Sequence, residues 1–118
     1  MPAALRFAIV ILLFILSGST IASNVSFLDY SATFYFQGQD QAMMLANAMD
    51  ALNRYPDGKK ASWKNPKTGT FGYAIPSNTR NQNGMRCRNL KIFNNAHNVA
   101  GEATYTFCKF GKEWKIPG

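Results

Sequence analysis

The stretch "MRCRNLKIFNNAHNVAGEATYTFCKF", running from Met85 to Phe110, decides the architecture of this 118-residue chain. Residues 85–93 and 102–110 read as two β-strands, separated by the turn-forming run Asn94-Asn95-Ala96-His97-Asn98. Cys87 and Cys108 are the two cysteines of the chain, so they allow one pairing. If they face each other directly, opposed residue numbers sum to 195. Residues 97 and 98 then fill the turn and Ala96 faces Val99. Leu90 meets Tyr105 and Ile92 meets Ala103, which are sound cross-strand pairs. Arg86 falls opposite Lys109. Those like charges repel, so either both reach water or a bulge shifts the register.

Working outward, the alternation of Phe71, Tyr73 and Ile75 predicts a preceding strand, interrupted by Pro76 and the polar run 77–84. Residues 112–116 predict a short closing strand, and Trp63 belongs to another. Between Trp63 and Phe71 lies Asn65-Pro66-Lys67-Thr68-Gly69. Proline presets φ for a tight turn and Gly69 accepts a positive φ, so this is hairpin chemistry. The spacing is not that of a phosphate loop, and a strand follows instead of a helix. Trp63 and Phe71 flank the turn, placed so that they can pack on one another or on one core.

Upstream, Asp40 is the expected N-cap of a helix. Leu45, Ala48, Met49 and Leu52 fall at i, i+3, i+4 and i+7 and make one apolar stripe. Pro56-Asp57-Gly58 ends it. Met43, Met44 and Met49 read as core filling rather than a ligand box. The expected fold is α+β: one N-terminal helix packed on a small antiparallel meander of four to five strands, with one disulfide.

Residues 1–22 have the three-part pattern of a secretory signal. Arg6 precedes an unbroken apolar run over 7–16, then come Ser17-Gly18-Ser19-Thr20 and a cut after Ala22. A spanning helix wants roughly 20 apolar residues, and this run is half that. Residues 23–39, with Phe27, Tyr30, Phe34, Tyr35 and Phe36, form a linker or an N-terminal arm, and the arm is an attractive docking element. Residues 40–118 form the domain. Export meets an oxidising compartment, where Cys87 and Cys108 join. The bond would contribute on the order of 3 kcal/mol by loop entropy.

The chain has thirteen Lys and Arg against six Asp and Glu, and between Arg54 and Lys91 only Asp57 is acidic. This balance raises encounter rates with anionic surfaces, or, since the cations are scattered rather than clustered, serves plain solubility. Lys59, Lys60, Lys64 and Lys67 offer contacts to such a surface. No closed zinc shell follows from two cysteines and the lone His97, so no cofactor or metal is expected. His97 sits at a turn, no nucleophile elbow is present, and Asp50 and Asp57 form no evident acid/base pair.

In order along the chain stand Ala51-Leu52, "WKNPKTGTFGYAIP", Gly84, Cys87-Arg88, Gly101-Glu102-Ala103, Cys108-Lys109 and Gly111-Lys112-Glu113-Trp114. This succession resembles the 17 kDa outer-membrane surface antigen family of Gram-negative bacteria over about two thirds of the chain. The shared pattern rests on Trp63, Asn65, Pro66, Gly69, Gly72 and Trp114 as structural residues. Family members typically carry a lipobox cysteine and many a glycine zipper; neither is present in this sequence, and Lys109 stands where arginine is common. The resemblance implies an α+β envelope domain and no catalytic residues. The expected function is a non-enzymatic, exported binding or assembly domain of the periplasm or outer membrane. Its expected partner is an envelope protein or an anionic envelope surface, lipopolysaccharide or phospholipid, and not nucleic acid. A small periplasmic inhibitor of a cell-wall-degrading or proteolytic enzyme is the alternative.

Overall fold

A computed structural model of the chain describes residues 30–117. The signal segment 1–22 and the first part of the arm lie outside the described residues. The elements are helix α1 (Tyr30–Thr33), helix α2 (Asp40–Arg54), and strands β1 (Ala61–Lys64), β2 (Phe71–Gln82), β3 (Met85–Ala96), β4 (Val99–Phe110) and β5 (Glu113–Lys115). The strands form one antiparallel sheet in sequence order. The chain thus has two helices on a five-stranded sheet among the described residues, one helix more than the sequence predicts.

The β3–β4 hairpin has the expected register. Cys87 faces Cys108, Leu90 faces Tyr105, Ile92 faces Ala103 and Ala96 faces Val99. His97 and Asn98 both adopt positive φ, 52° and 61°, the conformation that lets a two-residue turn follow the twist of its strands. Both strands extend further toward the turn than residue character suggested. Cys87 and Cys108 are disulfide-bonded with Cα atoms 4.1 Å apart, the short spacing of a pair that exchanges no ladder hydrogen bonds. The Arg86–Lys109 conflict does not arise. The β3–β4 pairing ends at the disulfide, and Lys109 faces Trp114 on β5 with its Nζ 5.7 Å from the indole centroid.

Pro76 does not interrupt β2, contrary to expectation. The strand runs on to Gln82, with Pro76 facing Leu90. The physical reason is the direction of its backbone. The Pro76 carbonyl accepts from the Gly58 N–H at 2.7 Å, on the side away from β3. That side lies beyond the end of β1, so the missing N–H removes no ladder bond. Between Ser77 and Arg80 the register slips by one residue, a bulge with Asn78 at φ 49°. The polar run is therefore bulged strand rather than loop.

Helix α2 lies across one face of β1, β2 and β3. Its buried stripe is Met44, Ala48, Ala51 and Leu52, with Leu45 and Met49 at the margin. Ala48 and Leu52 of the predicted stripe are buried, while Met44 and Ala51 fill the rest of it and Leu45 and Met49 are only partly buried, because both pairs flank the same helical stripe and the sheet decides between them. Against this stripe stand Trp63, Ala74, Leu90, Ile92, Phe107 and Trp114. Leu52 and Leu90 are fully buried, each worth roughly 1.5–3 kcal/mol. The arm is laid on the domain where it is described. Ala32 is buried against Gly101, Ser31 Oγ donates to the Ala100 carbonyl, and the Phe36 ring meets Trp63 edge-on at 6.0 Å.

Candidate binding surface

Two polar clusters fix the ends of α2 to the sheet. At its start, Gln39 occupies the cap position without a side-chain cap bond, and the predicted N-cap Asp40 is instead the first helical residue. Its carboxylate is buried. Oδ2 accepts from the Gln37 N–H at 2.9 Å, and Oδ1 accepts from Asn65 Nδ2 at 2.8 Å and Thr68 Oγ1 at 2.7 Å. Burial would raise its pKa. The bonds from Gln37, Thr68, Thr70 and Asn65 together outweigh that and hold it below the ordinary carboxylate value. The 65–69 turn is thus the far wall of the Asp40 site. Asn65 Oδ1 also accepts from the Lys67 N–H, and Gly69, at φ 79°, closes the turn onto the Asn65 carbonyl.

At the other end stands Arg88, 2 % exposed. Each of its five N–H groups has an acceptor. Nε donates to Thr79 Oγ1 at 2.7 Å. Nη1 donates to the carbonyls of Ala51 and Leu52, and Nη2 to the Tyr55 carbonyl at 2.6 Å and Asp57 Oδ1 at 3.0 Å. The guanidinium therefore supplies donors to the open carbonyls of the helix C-terminus, where a cation is also favoured by the helix dipole. The bulge in β2 turns Thr79 toward this cluster, and both its hydroxyl and its N–H donate to Asp57. Those bonds, then Arg88, push the Asp57 pKa down to about 2. An open groove of about 400 Å³ borders the cluster and is lined in part by Arg54 and Arg86. Its most buried polar groups are already committed to holding the helix, and Arg54 pairs with Asp50 at 3.2 Å.

Both helices lie on the same face of the sheet. The opposite face carries no element among the described residues, and this is where the structure departs most from sequence reasoning. The sequence lets Trp63 and Phe71 pack on one another or on one core, and the structure separates them. The register puts Trp63 opposite Gly72 and Lys64 opposite Phe71, so Trp63 points into the core and Phe71 points away, 41 % exposed. On β2 the buried set is Gly72, Ala74 and Pro76, and the large set Phe71, Tyr73 and Ile75 is outward. Gly72 is obligatory here: a Cβ would stand 2.2 Å from the Phe93 carbonyl and 2.8 Å from Trp63 Nε1.

The outward side chains form a ridge. Tyr73 stacks on Phe93 with ring centroids 4.9 Å apart, and Phe71 lies against Phe93 at 6.3 Å. Lys60 Nζ sits 4.1 Å from the centroid of Tyr73. Lys64 faces Phe71, and Lys91 faces Ile75 and makes a 3.5 Å, solvent-exposed pair with Glu102. Of the four lysines singled out from sequence, Lys60 and Lys64 thus join this face. Lys67 lies in the turn and Lys59 in the loop after α2, both exposed. Lys91, Phe71, Tyr73, Ile75 and Phe93 were missed as surface residues. The Asn83-Gly84 dipeptide, with φ of 52° and 78°, marks the β2–β3 turn, but counting back from it would set Tyr73 opposite Asn94; the bulge between Ser77 and Arg80 moves the partner to Phe93. Trp63 and Trp114 lie in the core, Trp114 donating from Nε1 to Asn53 Oδ1 at 2.8 Å; Asn65 and Gly69 shape the turn beside Asp40, and Gly72 packs under Trp63. Pro66 is an exposed residue of the turn. His97 lies in the β3–β4 turn beside Tyr35, ring centroids 5.4 Å apart. Among the described residues no group of three metal-ligating side chains is found, and no helix is long and apolar enough to cross a membrane.

Over 51 residues, 42 % of this chain, the sequence is 39 % identical to a protein named 17 kDa surface antigen from Rickettsia australis. Over the same length it is 37 % identical to proteins of that name from Rickettsia amblyommatis and Rickettsia montanensis. The match covers 33 % of each relative, so the chain spans about a third of their length. No protein-family model matches the chain, and no solved structure matches it.

Proposed function

We propose that this chain is an exported, non-enzymatic protein of the bacterial cell envelope, a surface-antigen-like domain that works by contact through the uncovered face of its sheet. The observation that carries the reading is the ridge Phe71–Phe93–Tyr73 with Lys60, Lys64 and Lys91 around it, apolar and cationic side chains gathered on a face free of both helices. Large apolar groups are ordinarily placed on the covered side of an antiparallel sheet, so a face built this way favours a partner. The names of the relatives support an envelope location and a role other than catalysis. The buried polar clusters support the same reading, since Arg88, Thr79, Asp57, Asp40 and Asn65 are spent on fixing α2. The reading includes removal of residues 1–22 on export and formation of the Cys87–Cys108 bond outside the cytoplasm.

The test is expression of the full chain in a Gram-negative host, cross-linking in intact cells, and fractionation into cytoplasm, inner membrane, periplasm and outer membrane. The expected result is oxidised protein in an envelope fraction with a reproducible cross-linked neighbour. Reduced protein recovered in the cytoplasm would contradict it.

A further inference from the structure

We propose that the uncovered sheet face docks on an anionic phospholipid bilayer, with its lysines at the phosphates and its aromatic ridge at the headgroup boundary. This rests on the reading that the face is the contact surface and adds the chemistry of what it contacts.

The charge on the face selects an anionic occupant. Lys60, Lys64 and Lys91 surround the ridge and Glu102 is the acid beside them. Continuing along the same side, Arg80 faces Cys87 and Lys115 faces Cys108, the latter paired with Glu113 at 3.5 Å. A second copy docked face to face would bring like charges together, so self-association is disfavoured here.

The ring geometry selects among anionic occupants. A sugar binds an aromatic residue through an open ring face. Tyr73 has Phe93 on one face, at 18° between ring planes, and the Lys60 ammonium on the other. What this ridge presents outward is ring edge, the Ile75 methyls and the half-exposed Phe71. Such groups suit the boundary between headgroup and acyl chain, where amphipathic aromatic side chains concentrate. Lysines on flexible stems then reach the phosphate level while their methylenes stay with the apolar layer.

The experiment is co-sedimentation of the full chain with vesicles of phosphatidylcholine alone and of phosphatidylcholine mixed with phosphatidylglycerol, at low and high salt. Three variants accompany it: Lys60→Ala/Lys64→Ala/Lys91→Ala, the off-face control Lys59→Ala/Lys67→Ala/Lys112→Ala, and Phe71→Ser. The two triple variants remove equal charge and share residues 1–22, so neither net charge nor the N-terminal apolar run distinguishes them. Circular dichroism checks that each is folded. Each lysine at an anionic bilayer is worth roughly fivefold in affinity. The face triple variant is therefore expected to lose about a hundredfold of the phosphatidylglycerol-dependent, salt-sensitive binding, and the control several times less. Phe71→Ser is expected to weaken binding roughly fivefold by loss of apolar contact. Equal losses in the two triple variants, or binding indifferent to phosphatidylglycerol, would overturn the proposal. If vesicles are not bound while the face variants still abolish the cross-linked neighbour in cells, the lipid assignment falls and a face for an acidic protein takes its place. Tighter capture by lipopolysaccharide than by phosphatidylglycerol overturns the choice of phospholipid in the same assay.

Discussion

Arg88 on β3 donates from Nη2 to the carbonyl of Tyr55 across 2.6 Å, joining the sheet to the residue that caps α2. That one side chain also serves two earlier carbonyls of the helix and Asp57. The end of the helix is thus held by a single buried cation instead of by water or a glycine cap.

Arg88→Met should therefore cost about 3 kcal/mol or more of unfolding free energy, because it leaves the carbonyls of Ala51, Leu52 and Tyr55 without their donor; half-exposed Asp57 keeps its bonds from Thr79. Arg88→Lys should recover only part of this, since an ammonium has three donors and no planar fork. Urea denaturation of both variants checks the order. A lysine variant as stable as the parent would mean that charge alone suffices.

Acid should weaken the fold through Asp57. Its folded pKa, about 2, lies below the ordinary 3.8. The stability it contributes is complete above about pH 4 and is lost as pH falls toward 2. Asp40, also lowered, acts in the same direction. The urea midpoint measured from pH 5 to pH 2 should fall, and Asp57→Asn should make the fall shallower. A parent and variant with parallel profiles would show that the carboxylate is not linked to folding.

Gly72→Ala and Gly84→Ala separate two reasons for glycine. At Gly72 the new methyl meets the Phe93 carbonyl and the Trp63 ring nitrogen, a clash expected to cost about 3 kcal/mol or prevent folding. At Gly84 there is open space and only the positive φ of 78° to oppose it, about 1 kcal/mol. Thermal unfolding ranks them, and equal losses would contradict the packing account of Gly72.

The β3–β4 register was legible because three signals agreed: one cysteine pairing, period-two alternation and turn residues midway. Which face of β2 is buried was not legible. Alternation defines two faces, and the covered one is chosen by the helix, which demands small residues at 72 and 74 for close approach. Arg88 stands out in the sequence only as part of the Cys87-Arg88 motif, not as a buried side chain. It shares its face with Leu90 and Ile92, and that parity would have marked it as buried. Asp40 was misread as a cap because its role depends on Asn65 and Thr68, whose positions in space follow only from the folded sheet.

Cys87 and Cys108 are 0 % and 1 % exposed, so reduction must wait for the strands to part. Loss of the bond should lower stability by about 3 kcal/mol, measured on Cys87→Ala/Cys108→Ala. Rapid reduction of the parent under native conditions would show the hairpin to be less tightly closed than it stands here.

The most direct measurement places a photo-cross-linking side chain at Ser62, exposed on the uncovered face beside Tyr73, and in a second protein at Ala46 on the exposed side of α2. Both are illuminated in intact cells. Adducts to an envelope component from Ser62 and few from Ala46 are the expected result. Equal yields, or adducts from Ala46 alone, would show that the protein makes its contacts elsewhere.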